Sequence, residues 1–160
     1  DPRDVITSMY FYLINLGVIK KNYSKRKYFK RFINGDFNAN FGNWNDNVGS
    51  WTGVKDEKKI IIIKYENLNK NTYKEIKRIC AFLKIKKTKN QIGKAIKKSS
   101  LIELRKMESN QKGFKAYISK DNPGFFRKGK TGDWKNFLSK TEAKLVKNMW
   151  KKNMKGFGYI

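Results

Sequence analysis

The sequence predicts an α/β chain, rich in helices around one central parallel strand, and three observations carry that prediction. Apolar residues recur at a helical period over most of the chain outside 60–63 and 108–135, and most such stretches open on a capping residue. Residues 60–63 are a continuous run of isoleucine, the pattern of a strand covered on both faces in a parallel sheet. No second run of that kind accompanies it, and a sheet needs more strands than one. The missing strands are expected upstream, so the 160 residues read as part of a longer protein that lacks its N-terminal half.

In chain order, Asp1 is placed to cap a first helix, Pro2 suits its first position and Asp4 sits near the positive end of its dipole. Val5, Met9, Tyr12, Leu13 and Leu16 form its apolar stripe, and Gly17 marks its end. A strongly basic second helix is expected over 23–33, closed by Asn34 and Gly35. A weaker third is expected over 41–51, where Trp44, Val48 and Trp51 are spaced three and four apart. After the isoleucine strand, 71–83 reads as a helix with Tyr73, Ile76, Ile79, Cys80 and Leu83 on one face. Thr88 with Gln91, and Ser100 with Glu103, have the spacing of capping boxes and open two short helices. Residues 108–135 show no period and carry Gly113, Pro123, Gly124, Gly129 and Gly132. Ser139 with Glu142 then caps a last helix through about Met154. No internal repeat or long linker interrupts this order, so residues 1–160 are expected to form part of one domain.

Composition narrows the function classes. No run of about 18 apolar residues exists, which argues against a membrane span, and the start has no cleavable-signal pattern. Cys80 is the only cysteine, expected as a buried structural thiol in a reducing, cytoplasmic setting. The formal net charge is +25, from 38 basic and 13 acidic residues, and would suit a nucleic-acid partner. Nearly all of it is lysine, however; the arginines are Arg3, Arg26, Arg31, Arg78, Arg105 and Arg127. Base recognition leans on the planar arginine fork, so a lysine-rich module holding nucleic acid non-specifically is the second reading rather than the first.

The most informative segment runs from Phe125 to Lys135 and, with Gly124 before it, fits two phosphate-binding patterns. One is Gly124-x-x-x-x-Gly129-Lys130-Thr131, a formal nucleotide-binding P-loop. A working P-loop leaves a buried strand and enters a helix whose N-terminus faces the anion. Here Lys120-Asp121-Asn122-Pro123 precedes the match, Phe125, Phe126 and Arg127 crowd it, and Gly132-Asp133 breaks any helix that follows. The other pattern is Arg127-Lys128-Gly129-x-x-Gly132-Asp133-Trp134-Lys135, which closely resembles an element near the C-terminus of cytosolic-type sulfotransferases.

Other segments resemble that family in the same order. Asp1-Pro2-Arg3-Asp4-Val5 with Ser8 and Tyr10 is similar to its Arg-(Asn/Asp)-Pro-x-Asp-Val-x-x-Ser-x-Tyr segment, although the leading Arg would fall before Asp1. Phe41-Gly42-x-Trp44 with Val48 and Trp51 is similar to its Gly-x-Trp-x-x-His-Val-x-x-Trp stretch, with Asn47 at the His position. Tyr65-Glu66-Asn67-Leu68 resembles its Tyr-Glu-Asp-Leu element, and Ser99-Ser100-Leu101 its Thr-Ser-Phe.

The resemblance implies part of the P-loop-NTPase-like sulfotransferase fold and a parent enzyme that uses 3′-phosphoadenosine-5′-phosphosulfate as co-substrate, with no metal. It implies 3′-phosphate contacts from Ser8 and Arg127. Tyr65, Ser99, Ser100 and Leu101 are implied beside the adenine, and Phe125, Phe126, Lys128 and Gly129 among the last donor contacts. These residue types match the chemistry of the nucleotide. A guanidinium fork and hydroxyls suit a phosphate dianion, glycine allows close backbone approach, and an aromatic or apolar wall suits adenine. The acceptor would be a small molecule or a glycan. The family's catalytic His and its phosphosulfate loop have no counterpart, so the 160 residues alone are not expected to catalyse transfer. After Lys135 the family's dimer pattern is also broken, with Lys140 and Lys144 where Thr-Val and acidic residues are expected.

Overall fold

The computed structural model describes residues 1–37, 42–53, 59–110 and 124–160. They form two compact units: Asp1–Lys55 with Gly132–Ile160, and Asp56–Thr131.

The first unit is built from α1 (Pro2–Asn15), α2 (Lys25–Ile33), α3 (Trp44–Thr52), a 3-10 turn (Asp133–Asn136), α8 (Lys140–Met149) and α9 (Lys151–Gly156). Asp1 caps α1, its carboxylate accepting the Arg3 N–H at 3.0 Å. Helix α2 begins two residues later than its basic pattern suggests, because Ser24 takes the cap. The box of Ser139 and Glu142 opens α8 as expected, but the predicted last helix breaks at Trp150. The core is aromatic: Tyr10, Tyr28, Phe29, Phe32 and Trp150 are buried with Ile6, Leu13, Val146 and Met154. Tyr28 donates to the Ile6 carbonyl at 2.6 Å and Tyr10 to the Tyr23 carbonyl at 2.8 Å, which satisfies both phenols inside that core.

The buried face of α1 differs from the expected stripe. Ile6, Tyr10 and Leu13 turn into the core, whereas Val5, Tyr12 and Leu16 are exposed. Met9, Tyr12, Leu13 and Leu16 instead line an open cavity of about 620 Å³, together with Val18, Arg31, Asp36 and Phe37. A helical period cannot distinguish a face packed on protein from one that walls a cavity.

The second unit comprises α4 (Tyr65–Lys70), α5 (Thr72–Phe82), α6 (Lys89–Lys98) and α7 (Leu101–Asn110). Helix α5 packs on α4 and α6, and α6 on α7. The Thr88–Gln91 box is formed in both directions, at 3.0 and 3.2 Å. Ser100 accepts the Glu103 N–H at 3.4 Å, one half of the expected box. Cys80 is half-buried rather than fully buried, as are Tyr73, Ile76 and Ile79 on the same stripe.

The isoleucine strand is not formed. No described residue lies in a strand, and residues 60–63 run without regular structure into α4, with Ile62 46 % exposed. A strand is defined by hydrogen bonds to a neighbour, and the described residues offer none.

Candidate functional site

In the second unit, residues 124–130 lie as irregular backbone against α7 and α4. The local sequence explains the shape. Gly124 has φ 97° and Gly129 φ 62°, both in the left-handed region that favours glycine. At Gly129 a Cβ would stand 3.2 Å from Leu101 Cδ2, so the chain passes tight over that side chain. Gly124 is more constrained, as a Cβ there would lie 2.7 Å from Glu108 Oε2.

Polar contacts hold the same stretch. Arg105 Nε donates to the Phe126 carbonyl at 2.9 Å, and a second guanidinium N–H of Arg105 donates to the Arg127 carbonyl. The Glu108 carboxylate accepts the N–H of Phe125 and, at 3.4 Å, that of Phe126. Asn69 on α4 donates to the Gly129 carbonyl at 3.3 Å. The rings of Phe125 and Phe126 meet edge to face, with centroids 5.3 Å apart.

Several expected site residues are therefore gathered around one segment. Leu101 lies under Gly129, Ser99 and Ser100 occupy the α6–α7 junction just before it, and Tyr65 opens the short helix that carries Asn69. Tyr65 and Phe125 are exposed, while Phe126 and Arg127 are half-buried. Ser8 is exposed on α1, in the other compact unit. Of the stretch expected over 41–51, Phe41 lies outside the described residues; Trp44 meets Trp150 at a tilt, with ring centroids 5.6 Å apart.

The sequence pattern does not single out Asn69, Arg105 or Glu108. They are ordinary polar residues of exposed helical patterns. Only the three-residue spacing of Arg105 and Glu108, which puts them on one helical face, is available as a signal. Asp4, expected as a dipole residue, does more. In the first unit its carboxylate accepts the N–H groups of Gly132 at 2.6 Å and Trp134 at 3.0 Å. The Arg3 guanidinium covers the Trp134 ring at 4.1 Å and bonds Asp1, and burial lowers its pKa from the ordinary arginine value. Trp134 is thus an anchor, packed on the aromatic core.

The geometry is not that of a P-loop. Residues 126–130 are irregular, and Thr131 leads through Gly132, at φ 80°, into a four-residue 3-10 turn rather than a phosphate-facing α-helix.

Known proteins point the same way. The family model described as "Sulfotransferase domain" matches residues 1–158. Human sulfotransferase 2A1 is 30 % identical over 155 residues, covering 96 % of this chain and 54 % of that protein. Mouse sulfotransferase 2A2 is also 30 % identical, over 161 residues, covering 98 % and 55 %. The chain thus spans about half the length of the curated relatives it matches. Among solved structures, mouse sulfotransferase SULT7A1 complexed with PAP superposes with a TM-score of 0.78 at 28 % identity, covering 96 % of this chain and 56 % of that one. Retinol dehydratase in complex with androsterone and PAP gives 0.82 at 21 % identity, covering 97 % and 45 %, a likeness of fold. With the family model running through nearly every residue, the chain belongs to the sulfotransferase domain family.

Proposed function

We propose that the complete protein transfers a sulfuryl group from 3′-phosphoadenosine-5′-phosphosulfate to a hydroxyl or amine acceptor, and that these residues form the 3′-phosphate and adenine side of its donor site. The observation that carries this reading is the tightly held segment 124–130, which joins a half-buried Arg127 to a Gly129 backbone pressed onto Leu101. The donor set suits the nucleotide: arginine and serine hydroxyls for the 3′-phosphate, and Phe126, Leu101, Tyr65 and Ser99 as an apolar wall with polar edges for adenine. PAP, the ligand of SULT7A1 and retinol dehydratase, supports the same donor class. When bound, the donor supplies the sulfuryl group. This chain's own residues bind and orient the nucleotide, with Arg127 on the 3′-phosphate and the remaining residues of 125–129 beside it.

Both compact units belong, in this reading, to one sulfotransferase domain, because the family model runs across their boundary. Residues 60–63 then complete a parallel sheet whose other strands come from elsewhere in the protein. The acceptor is an apolar small molecule rather than a glycan. The cavity beside α1 is walled by Met9, Tyr12, Leu13 and Leu16 with a single ion pair, Arg31–Asp36 at 3.2 Å, and its volume falls within the usual range for small-ligand sites. Retinol dehydratase, whose complexes hold retinol or androsterone, is consistent with that chemistry. No helix among the described residues is long and apolar enough to cross a membrane, and the cytoplasm is the proposed compartment.

Titration of the full-length protein with 3′,5′-adenosine bisphosphate (PAP) and with ATP tests the donor site. Arg127→Lys keeps the charge but loses the fork, and should weaken PAP binding by about 1–3 kcal/mol. Lys130→Ala should cost much less. Loss of nucleotide binding in Lys130→Ala with Arg127→Lys intact would restore the P-loop reading and overturn this one.

A further inference from the structure

We propose that Arg105 and Glu108 act as a two-sided clamp that sets the backbone geometry of the nucleotide-binding segment, and are therefore positioning residues for 3′-phosphate recognition. The inference rests on the donor-site reading above and adds two residues to which that reading gives no role.

The contacts are complementary in kind and continuous along the chain. Glu108 takes two successive N–H groups, of Phe125 and Phe126. Arg105 supplies N–H donors to two successive carbonyls, of Phe126 and Arg127. Three consecutive residues are thus fixed through their main chain by two side chains one turn apart on α7. Glu108 is 9 % exposed, a burial a carboxylate tolerates only with such partners. Gly124 supplies the remaining requirement, since any Cβ there would collide with the Glu108 carboxylate.

A clamp of this kind answers a specific problem. The segment has no regular structure, and its side chains are exposed or half-buried, so apolar packing alone cannot hold it. Phosphate recognition by a planar fork needs placement to within a fraction of an ångström, which directional bonds from a rigid helix supply. The pair adds one positive and one negative charge, leaving the local net charge unchanged. Its contribution is geometry and not field strength, which gives the proposal its test.

Arg105→Ala, Arg105→Lys, Glu108→Gln and Glu108→Ala would be made in the full-length protein. Affinities for PAP and for 5′-AMP would be measured alongside amide hydrogen exchange over 124–131. Exchange at Phe125 and Phe126 should accelerate at least tenfold in Glu108→Ala. PAP affinity should fall tenfold or more in the two alanine variants and in Arg105→Lys, which keeps the charge but loses the planar fork whose separate nitrogens reach the two carbonyls. AMP affinity should change less than threefold, so preference for the 3′-phosphate collapses while the fold persists. Glu108→Gln retains one acceptor and should fall between wild type and Glu108→Ala. If exchange quickens but the PAP-to-AMP ratio holds, or Arg105→Lys behaves as wild type, the clamp is merely structural and the proposal is overturned. A wild-type protein that shows no preference for PAP over AMP overturns the donor-site reading itself, and the clamp's role with it.

Discussion

The two compact units of this chain are stabilised by different physics. In the first, Tyr28, Phe32, Met154 and Val146 are fully enclosed, and rings from separate stretches of sequence meet around Tyr10, Tyr28 and Phe137. In the second, Ile92 is the buried apolar side chain among the described residues, and the others buried there are Glu75, paired with Arg78, and Glu108, bound to backbone. Leu83, Ile85, Ile102, Met107 and Phe125 stay open to solvent. One unit is held by apolar burial and the other by caps, ion pairs and main-chain clamps. An irregular segment carried by the second kind depends on directional bonds, so its shape should be sensitive to single polar substitutions.

Substitutions can sharpen or break that contrast, each followed by chemical denaturation of the full-length protein. The largest loss is expected for Trp150→Ala. That ring is 3 % exposed and packs near Trp44, and its removal should cost about 3–5 kcal/mol. Next comes Ile62→Ala. If residues 60–63 form an interior strand of the complete domain, it should cost about 2–4 kcal/mol. A loss under about 0.5 kcal/mol, typical of a surface position, would show that Ile62 is as exposed in the whole protein as it is here.

Tyr28→Phe removes the phenol donor to the Ile6 carbonyl in the first unit's core and should cost about 0.5–1.5 kcal/mol at neutral pH. It should also change the alkaline limb of stability. Burial, helped by the neighbouring Tyr10, raises the Tyr28 phenol well above its ordinary value. The unfolded chain therefore releases this proton first: the stabilisation is complete below about pH 10 and is lost as pH rises beyond it. The variant should show a shallower decline above that pH.

Thr88→Ala and Ser139→Ala remove the same capping box from different units, and each should cost about 1 kcal/mol, because capping is local and indifferent to the surrounding core. Unequal losses would mean that one helix end is supported from elsewhere. Leu83→Ala, at a side chain 54 % exposed, should cost less than about 0.5 kcal/mol, and a larger value would show that the second unit's open apolar residues are covered in the complete protein.

Helix starts are legible at the residues that make them. Asp1, Thr88 and Ser139 satisfy backbone N–H groups within three positions of themselves, an interaction that depends on nothing distant. The irregular backbone of 124–130 is legible too, because Gly124 and Gly129, both at positive φ, stand in the sequence itself. Boundaries fail where a neighbour decides them, as at Trp150, where the last helix breaks, and at Tyr65, where a short helix follows a stretch with the pattern of a strand.

The chain's order of residues by itself determined the caps, the helical periods, the glycine turns and the membership these imply, since all rest on contacts a few positions apart. Tertiary structure alone decided which face of α1 is core and which walls a cavity, and whether residues 60–63 pair as a strand. It also decided that Asp4 would hold Gly132 and Trp134, and that Arg105 and Glu108 would hold the segment beginning at Phe125. Those outcomes join groups separated by up to 130 positions, and a hydrogen bond between distant residues leaves no period or spacing in the sequence from which it could be read.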